Sequence, residues 1–354
     1  MTDPVRSEEG PSLDWAVACE ARGVATHTRY TLLRWDDIVR TRFPRSDLRR
    51  LIEVPALWWR LWRVGYVKAF RREARRFSRV IVGVHQLYLA FVLASLAAAV
   101  GLVALTPLGR GPAPLNVALI PIAAYAILAL IMRLTRGRPF YVAHLVDDTA
   151  FTHDHASGVE TAMRGRLDAW AERIHAAEGG ASEIVVIGHS SSSFLAVEAL
   201  DRLLARDPGF GRRGTPVTLV TLGSVIPWIG LDPEARDVRA ALARVAAADA
   251  IGWLDLRAKW DWLSIHLRDP LTASGVTSPG AGRPVAMQVR IEDLIEPAVV
   301  ARRRWNLFRM HFQLLMSSRD PTAFDYIAFV SGPEPVHAVV ARARAGKVAP
   351  ANSA

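Results

Sequence analysis

Two uncharged apolar runs lie back to back near the middle of the chain. Val80–Gly109 contains no Asp, Glu, Lys or Arg, and Leu87–Leu105 is its most apolar part; Leu115–Met132 is the second run. A helix needs about 20 apolar residues to cross the hydrocarbon of a bilayer, and two such runs in succession are hard to place in a soluble core. Gly109, Arg110, Gly111, Pro112 and Pro114 read as a turn between them. The expectation is a transmembrane helical hairpin over residues 80–134. Arginines crowd its outer ends (Arg71, Arg72, Arg75, Arg76 and Arg79 before, Arg133, Arg136 and Arg138 after), and the turn holds only Arg110. Positive charge stays on the cytoplasmic side, so both outer ends are expected there. The segments before and after the hairpin can then fold together.

The charge of the whole chain agrees with a membrane partner. A net charge of +10 over 354 residues suits nucleic acid or an anionic bilayer. No helix-turn-helix, zinc-finger or ribonucleoprotein pattern is present, so the expected partner is the lipid bilayer and not nucleic acid. Residues 47–79 interleave Trp58, Trp59 and Trp62 with Arg60, Arg63 and Lys68, the composition of a helical segment lying at a bilayer interface. The single cysteine, Cys19, allows no internal disulfide and no cysteine metal cluster. Met1–Asp14 is polar and acidic, unlike a cleavable signal peptide. Arginine- and alanine-rich usage points to a bacterial chain, hence to the cytoplasmic membrane with the soluble part facing the cytoplasm. The oligomeric state is not legible.

Around the hairpin the pattern is α/β. His27–Leu33 reads as an early strand, while residues 1–28 otherwise give little signal. Beyond the hairpin, Phe140–Val146, Glu183–Gly188, Pro216–Leu222, Ile251–Leu256 and Val285–Ile291 read as strands. Gly158–Ala177, Phe194–Ala205, Ala235–Ala248 and Met310–Met316 read as helices. Strands alternating with helices of this length imply a parallel sheet flanked by helices. The division is then 1–46 as the start of the catalytic domain, 47–79 as the Trp/Arg segment, 80–134 as the hairpin, 135–330 as the catalytic core, and 331–354 as a tail expected to lack order.

The sharpest local signal is Ile184-Val185-Val186-Ile187-Gly188-His189-Ser190-Ser191-Ser192-Ser193-Phe194. An apolar strand ends at Gly188 and a helix begins within a few residues. A serine at such a turn is lifted above the sheet edge, and its neighbours must be small. Here the chain resembles the α/β-hydrolase superfamily, in particular its lipase- and esterase-like members, whose nucleophile elbow reads Gly-x-Ser-x-Gly, often with His before the serine. The match is Gly188-His189-Ser190-Ser191-Ser192, with Ser192 where the family has glycine. The resemblance covers roughly residues 139–318. It implies an α/β-hydrolase-like fold, with the hairpin as an insertion, and makes Ser190 the nucleophile.

A nucleophilic serine needs a base, and the base an orienting carboxylate. The family order Ser, acid, His implies Asp261, just beyond the strand Ile251–Leu256, and His311, beyond the last strand. Asp255 is the alternative acid. His266, His337, His144, His153 and His155 fit the order or spacing less well. His189 is implied to be structural or to line the site. The resemblance gives the Ser191 N–H as one oxyanion donor; the second donor usually lies on an earlier His-Gly loop, which is not found here. Arg34-Trp35-Asp36-Asp37 follows an early strand and borders the site without an assigned role. The cluster His144, Asp147, Asp148, His153, Asp154, His155 lacks zinc-protease spacing and reads as polar loop residues. No metal or cofactor is expected. The expected function is a membrane-anchored serine esterase or lipase cleaving a lipid-like ester or thioester. A catalytically inactive scaffold on the same fold is the alternative. A transport role is disfavoured, because two helices without charges leave little room for a pathway.

Overall fold

In the computed structural model the described residues are 2–6, 12–21, 23–43, 45–105, 113–135, 141–277, 282–320 and 324–346. The chain opens with an antiparallel sheet of β1 (Val5–Arg6), β2 (Ser12–Ala21) and β3 (Val24–Leu33). Gly23, at φ +75°, supplies the left-handed turn that joins β2 to β3. Across this pair Trp15 stacks on Tyr30, with ring centroids 4.4 Å apart.

Six helices follow: α1 (Asp36–Arg42), α2 (Asp47–Arg63), α3 (Tyr66–Glu73), α4 (Arg75–Leu105), α5 (Ala113–Thr135) and α6 (Val142–Ala156). Ser46 caps α2 by accepting a hydrogen bond from the Arg49 N–H at 3.2 Å. Helices α4 and α5 pack along each other and are long and apolar enough to cross a membrane. The first half of α4 belongs to the globular part: Phe77, Ile81, Val84 and Tyr88 are buried. Its second half exposes Leu89, Leu93, Leu96, Val100 and Leu102, as α5 exposes Leu115, Val117, Ile122 and Leu130. The turn read at Gly109–Pro112, and Arg136 and Arg138, lie outside the described residues.

The remaining chain forms a parallel sheet in the order β4 (Ile184–His189), β5 (Val217–Leu222), β6 (Ile251–Arg257), β7 (Val285–Gln288). Successive side chains point to opposite faces. Ile184, Val186, Val217, Leu219, Ile251 and Trp253 enter one core, with α7 (Ala162–His175), α8 (Ser192–Arg206) and α10 (Arg236–Ala247). Val220, Leu222, Leu254 and Leu256 enter the other, with Val336 and Val340 of α16 (Val336–Arg344). The sheet is therefore covered on both faces, as parallel sheets are. Between these elements lie the short helices α9 (Ile226–Gly230) and α11 (Pro270–Ala273). Helices α12 (Ile291–Leu294), α13 (Pro297–Arg303), α14 (Leu307–His311) and α15 (Tyr326–Ser331) follow β7. The N-terminal sheet rests on α15, where Thr26 Oγ1 donates to the Ser331 carbonyl at 2.5 Å and Tyr30 and Tyr326 share a hydrogen bond between hydroxyls.

Two expectations fail, and β2 falls in a stretch that gave no usable signal, because its alternation is only half apolar. The strand read over Phe140–Val146 is absent from its described residues 141–146, Phe140 lying outside them: Val142 begins α6, and that helix is buried on nearly all sides, so its opening residues show no helical stripe. The tail is ordered in part, because α16 buries Val336 and Val340 on the sheet; residues 347–354 lie outside the described residues.

Buried ion pairs fasten α2 to α6 and to the chain after α9. Arg50 donates to both carboxylate oxygens of Asp147 at 2.8 and 2.7 Å, and both residues are buried. Arg60 pairs with Asp232 at 3.2 Å, and His153 Nδ1 lies 2.6 Å from the same carboxylate. Breaking one partner of a buried pair costs about 3–5 kcal/mol, since the other charge is stranded. Arg50→Ala is expected to lower unfolding stability by about that amount in denaturant titration, and Arg50→Met with Asp147→Leu by clearly less.

Candidate active site

The C-terminal ends of β4, β5 and β6 meet at one rim, where open parallel sheets place their ligands. At the end of β4 the backbone turns sharply into α8. Ser190 sits at φ +56°, one of two described non-glycine residues in the left-handed region. Such a conformation is costly for a serine and persists only where the surroundings enforce it. The Ser190 N–H donates to the Leu222 carbonyl at 3.1 Å, continuing the sheet ladder into the turn. A Cβ on Gly188 would stand 2.3 Å from the Ser192 carbonyl oxygen and 2.8 Å from Ser193 Cα. Only glycine lets the strand and helix close on each other there. Ser192, in the place of the family's second glycine, begins α8 and lines the adjoining cleft, so its side chain has room.

Beyond β6, Asp261 is buried and accepts the Leu263 N–H on Oδ1 at 2.9 Å. Its Oδ2 lies 2.7 Å from His311 Nδ1 at the end of α14. Burial pushes the Asp261 carboxyl up, but the His311 charge and hydrogen bond, with the Leu263 N–H, outweigh it and hold it below the ordinary carboxylate value. A carboxylate on Nδ1 fixes the tautomer that leaves Nε2 free to take a proton. His311 Nε2 is buried and has no hydrogen-bond partner. Gly223, after β5, makes this pair possible. At φ +51°, its added Cβ would press on Asp261 Oδ2 at 3.1 Å and His311 Cε1 at 3.2 Å.

His189 packs against His311, with ring centroids 4.3 Å apart, and its Nε2 lies 3.2 Å from the His311 carbonyl. A carbonyl only accepts, so Nε2 carries the proton. Burial first, and then His311, push the His189 pKa down to about 3, so the ring is neutral and structural. The Ser191 N–H stands at the N-terminus of α8, where the helix dipole favours negative charge.

Ser190, Ser191, Ser192, His189 and His311 line one cleft of about 1560 Å³, together with Trp35, Phe77, Trp228 and Leu263. Thus Asp261 and His311 are brought into contact, and Ser190 faces the same cleft. Ser190 Oγ makes no hydrogen bond to a described residue. The alternative acid, Asp255, is occupied elsewhere: it accepts from Thr221 Oγ1 at 2.7 Å and Arg257 Nε at 2.6 Å. His337 pairs with Glu183. From the segment after β3, Trp35 reaches the cleft, while Asp36 pairs with Arg34 and Asp37 with Arg166. Among the described residues, His175, Glu178 and Asp207 stand close enough to hold a cation. Arg213 already bridges Glu178 and Asp207, which supplies the positive charge.

Sequence reasoning missed Gly223 and the two ends of the apolar helix pair. Arg76, near the start of α4, donates to the Lys259 carbonyl at 2.6 Å, two residues before Asp261. Tyr141, after α5, packs its ring 4.4 Å from that of Phe308, three residues before His311. A Gly-Ser motif at the end of a strand, as in Leu222-Gly223-Ser224, was the available signal for the first; nothing local marks the second.

No family model matches the chain, and no curated protein or solved structure is significantly similar to it.

Gly223→Val is expected to separate Asp261 from His311 and to reduce reactivity of Ser190 at least tenfold, on the order of a lost charge-assisted hydrogen bond. The check is the rate of fluorophosphonate labelling, with circular dichroism to confirm the fold. Gly188→Ala is expected to lose labelling and also some stability, because backbone rather than a side chain tip must yield.

Proposed function

We propose that the chain is a serine hydrolase of the α/β-hydrolase type, held to a bilayer by α4 and α5. The observation that carries this reading is the Asp261–His311 hydrogen bond beside a serine held in a left-handed elbow. Ser190 Oγ attacks the carbonyl carbon of an ester or thioester while His311 Nε2 takes its proton. Asp261 orients the imidazole and stabilises the imidazolium. The Ser191 N–H donates to the oxyanion. The tetrahedral intermediate expels the alcohol or thiol, which receives the proton from His311. Water then attacks the acyl-enzyme with His311 again as base, releasing the acid and restoring Ser190. Each step uses groups of this chain and water.

The anchoring rests on the bare apolar faces of α4 and α5. Leu89–Leu105 alone spans about 25 Å at 1.5 Å per residue, close to the roughly 30 Å of a bilayer's hydrocarbon. Trp59, Trp62, Trp262 and Trp305 are exposed around the globular part, among many arginines. The loop that carries Asp261 touches the start of α4 through Arg76, and α14, which ends at His311, touches Tyr141 just ahead of α6; in this reading the cleft lies at the cytoplasmic surface of the membrane. A lipid-like ester fits that position and the aromatic lining. Inactivity with retained fold is the competing scaffold reading, motivated by Ser192 in place of glycine and by the lack of a His-Gly motif in the early sequence.

Fluorophosphonate labelling of the detergent-solubilised chain tests the chemistry. Labelling of wild type is expected, with none in Ser190→Ala and a fall of about 10³–10⁴ in rate for Asp261→Asn, which holds the wrong tautomer. An unlabelled wild type that is folded would favour the scaffold. The anchoring has its own check: the chain should remain in the membrane fraction after alkaline carbonate washing, and removal to the supernatant would overturn it.

A further inference from the structure

The cluster His144, Asp147, Asp148, His153, Asp154, His155 falls on α6, and five of the six are committed to contacts. Asp147 holds Arg50, Asp154 holds Arg45 at 2.6 Å, and His153 faces Asp232. His155 Nε2 lies 2.7 Å from Glu198, and His144 packs on Phe43 and Phe308. Asp148 alone makes no hydrogen bond or ion pair with any described residue. Its side chain lines the same cleft as Ser190 and His311. The other carboxylates on that cleft are all engaged: Asp14 with Thr31 and Arg173, Glu183 with His337, Glu334 with Arg342.

The position of Asp148 within the cleft follows from its helix. One turn earlier, His144 touches Phe308, three residues before His311. Two turns later, His155 packs on Phe194 of α8, four residues after Ser190. Asp148 lies between these two anchor points along α6 and lines the cleft that Ser190 also lines. Aromatic and aliphatic residues, Trp35, Phe43, Leu145 and Phe308 among them, line the same cleft. Asp148 is partly buried, so without a protein donor its carboxyl is left to water, and a ligand hydroxyl entering the cleft can take that place.

We propose that Asp148 recognises the substrate by accepting a hydrogen bond from a hydroxyl on the alcohol portion of an ester bound at Ser190. The inference rests on the hydrolase reading above and adds the substrate class, a partial ester of a polyol such as a monoacylglycerol. A hydroxyl suits the site better than a cation. Burial, and then Asp147 beside it, raise the Asp148 pKa to about 7, so the group is a weak counter-ion near neutrality yet accepts a hydrogen bond in either state. The chain's net charge of +10 also disfavours a cationic substrate.

The test compares two esters with the same acyl chain, 1-monooctanoylglycerol and ethyl octanoate, on the detergent-solubilised full chain. Active sites are counted by fluorophosphonate titration. The ratio of kcat/KM for the glyceride to that for the ethyl ester is expected to fall about 10- to 100-fold in Asp148→Ala, chiefly through KM, as for loss of a charge-assisted hydrogen bond. Asp148→Asn keeps an acceptor and is expected to restore much of the ratio; Asp148→Leu repeats the loss with the volume filled. An unchanged ratio in Asp148→Ala or Asp148→Leu overturns the proposal, as does a wild-type preference for octanoylcholine over the glyceride. A wild type that neither labels nor cleaves any ester overturns the hydrolase reading itself, and the proposal with it.

Discussion

The closure of β4 onto α8 governs the rest of the site. Gly188 lets the Ser192 carbonyl approach to a distance no Cβ permits, and that approach is what forces Ser190 into the left-handed region. The strain is held by the ladder on one side and by a fully packed helix on the other, where Phe194, Leu195 and Val197 are buried. Every other functional group is placed relative to this turn. Gly223 at the end of β5 repeats the device one strand over, with side chains rather than backbone as the close neighbours. Two glycines at adjacent strand ends thus clear the space in which an acid, a base and a serine can converge.

The sheet and the site residues were legible for different reasons. Buried parallel strands such as Val217–Leu222 are continuous apolar runs, and helices such as Arg236–Ala247 repeat their apolar residues at helical spacing; both signals are local. The order of Ser190, Asp261 and His311 came from a resemblance, and the contact of the last two joins residues far apart in sequence, which no local pattern encodes. What stayed hidden was of a third kind. Helix α6 hides its period because its polar residues are buried with partners from α2, α8 and the chain after α9. Strand β2 hides because its residues are mostly half-buried or exposed, so no apolar alternation stands out. Helix α16 hides because a short Ala/Arg segment needs only Val336 and Val340 to dock.

The buried ion pairs of α2 suggest why the helical layer does not simply float on the sheet. Arg50 and Arg60 cannot pair with Asp147 and Asp232 unless α2, α6 and the loop after α9 are in register. A purely apolar contact between amphipathic helices would tolerate sliding by a turn; the bidentate Arg50–Asp147 pair does not. Such pairs add little net stability over an apolar contact but specify one arrangement among several. The same layer carries Asp148, so the register that satisfies Arg50 also sets the height of the unpaired carboxyl above the elbow.

Helix α4 runs without a break from Arg75 to Leu105, with Phe77 in the wall of the cleft and Leu93, Leu96, Val100, Leu102 and Leu105 bare along its far end. A continuous helix of this length is a stiff rod of about 46 Å at 1.5 Å per residue. Its inner end is pinned beside the Asp261 loop by Arg76. In the membrane-anchored reading proposed above, a change of tilt at the outer end, of the kind that bilayer thickness imposes on long apolar helices, would pivot about that pin and reach the cleft as a lever stroke. The lipid surroundings of such a chain would therefore act as a mechanical input to the aperture through which its substrate enters.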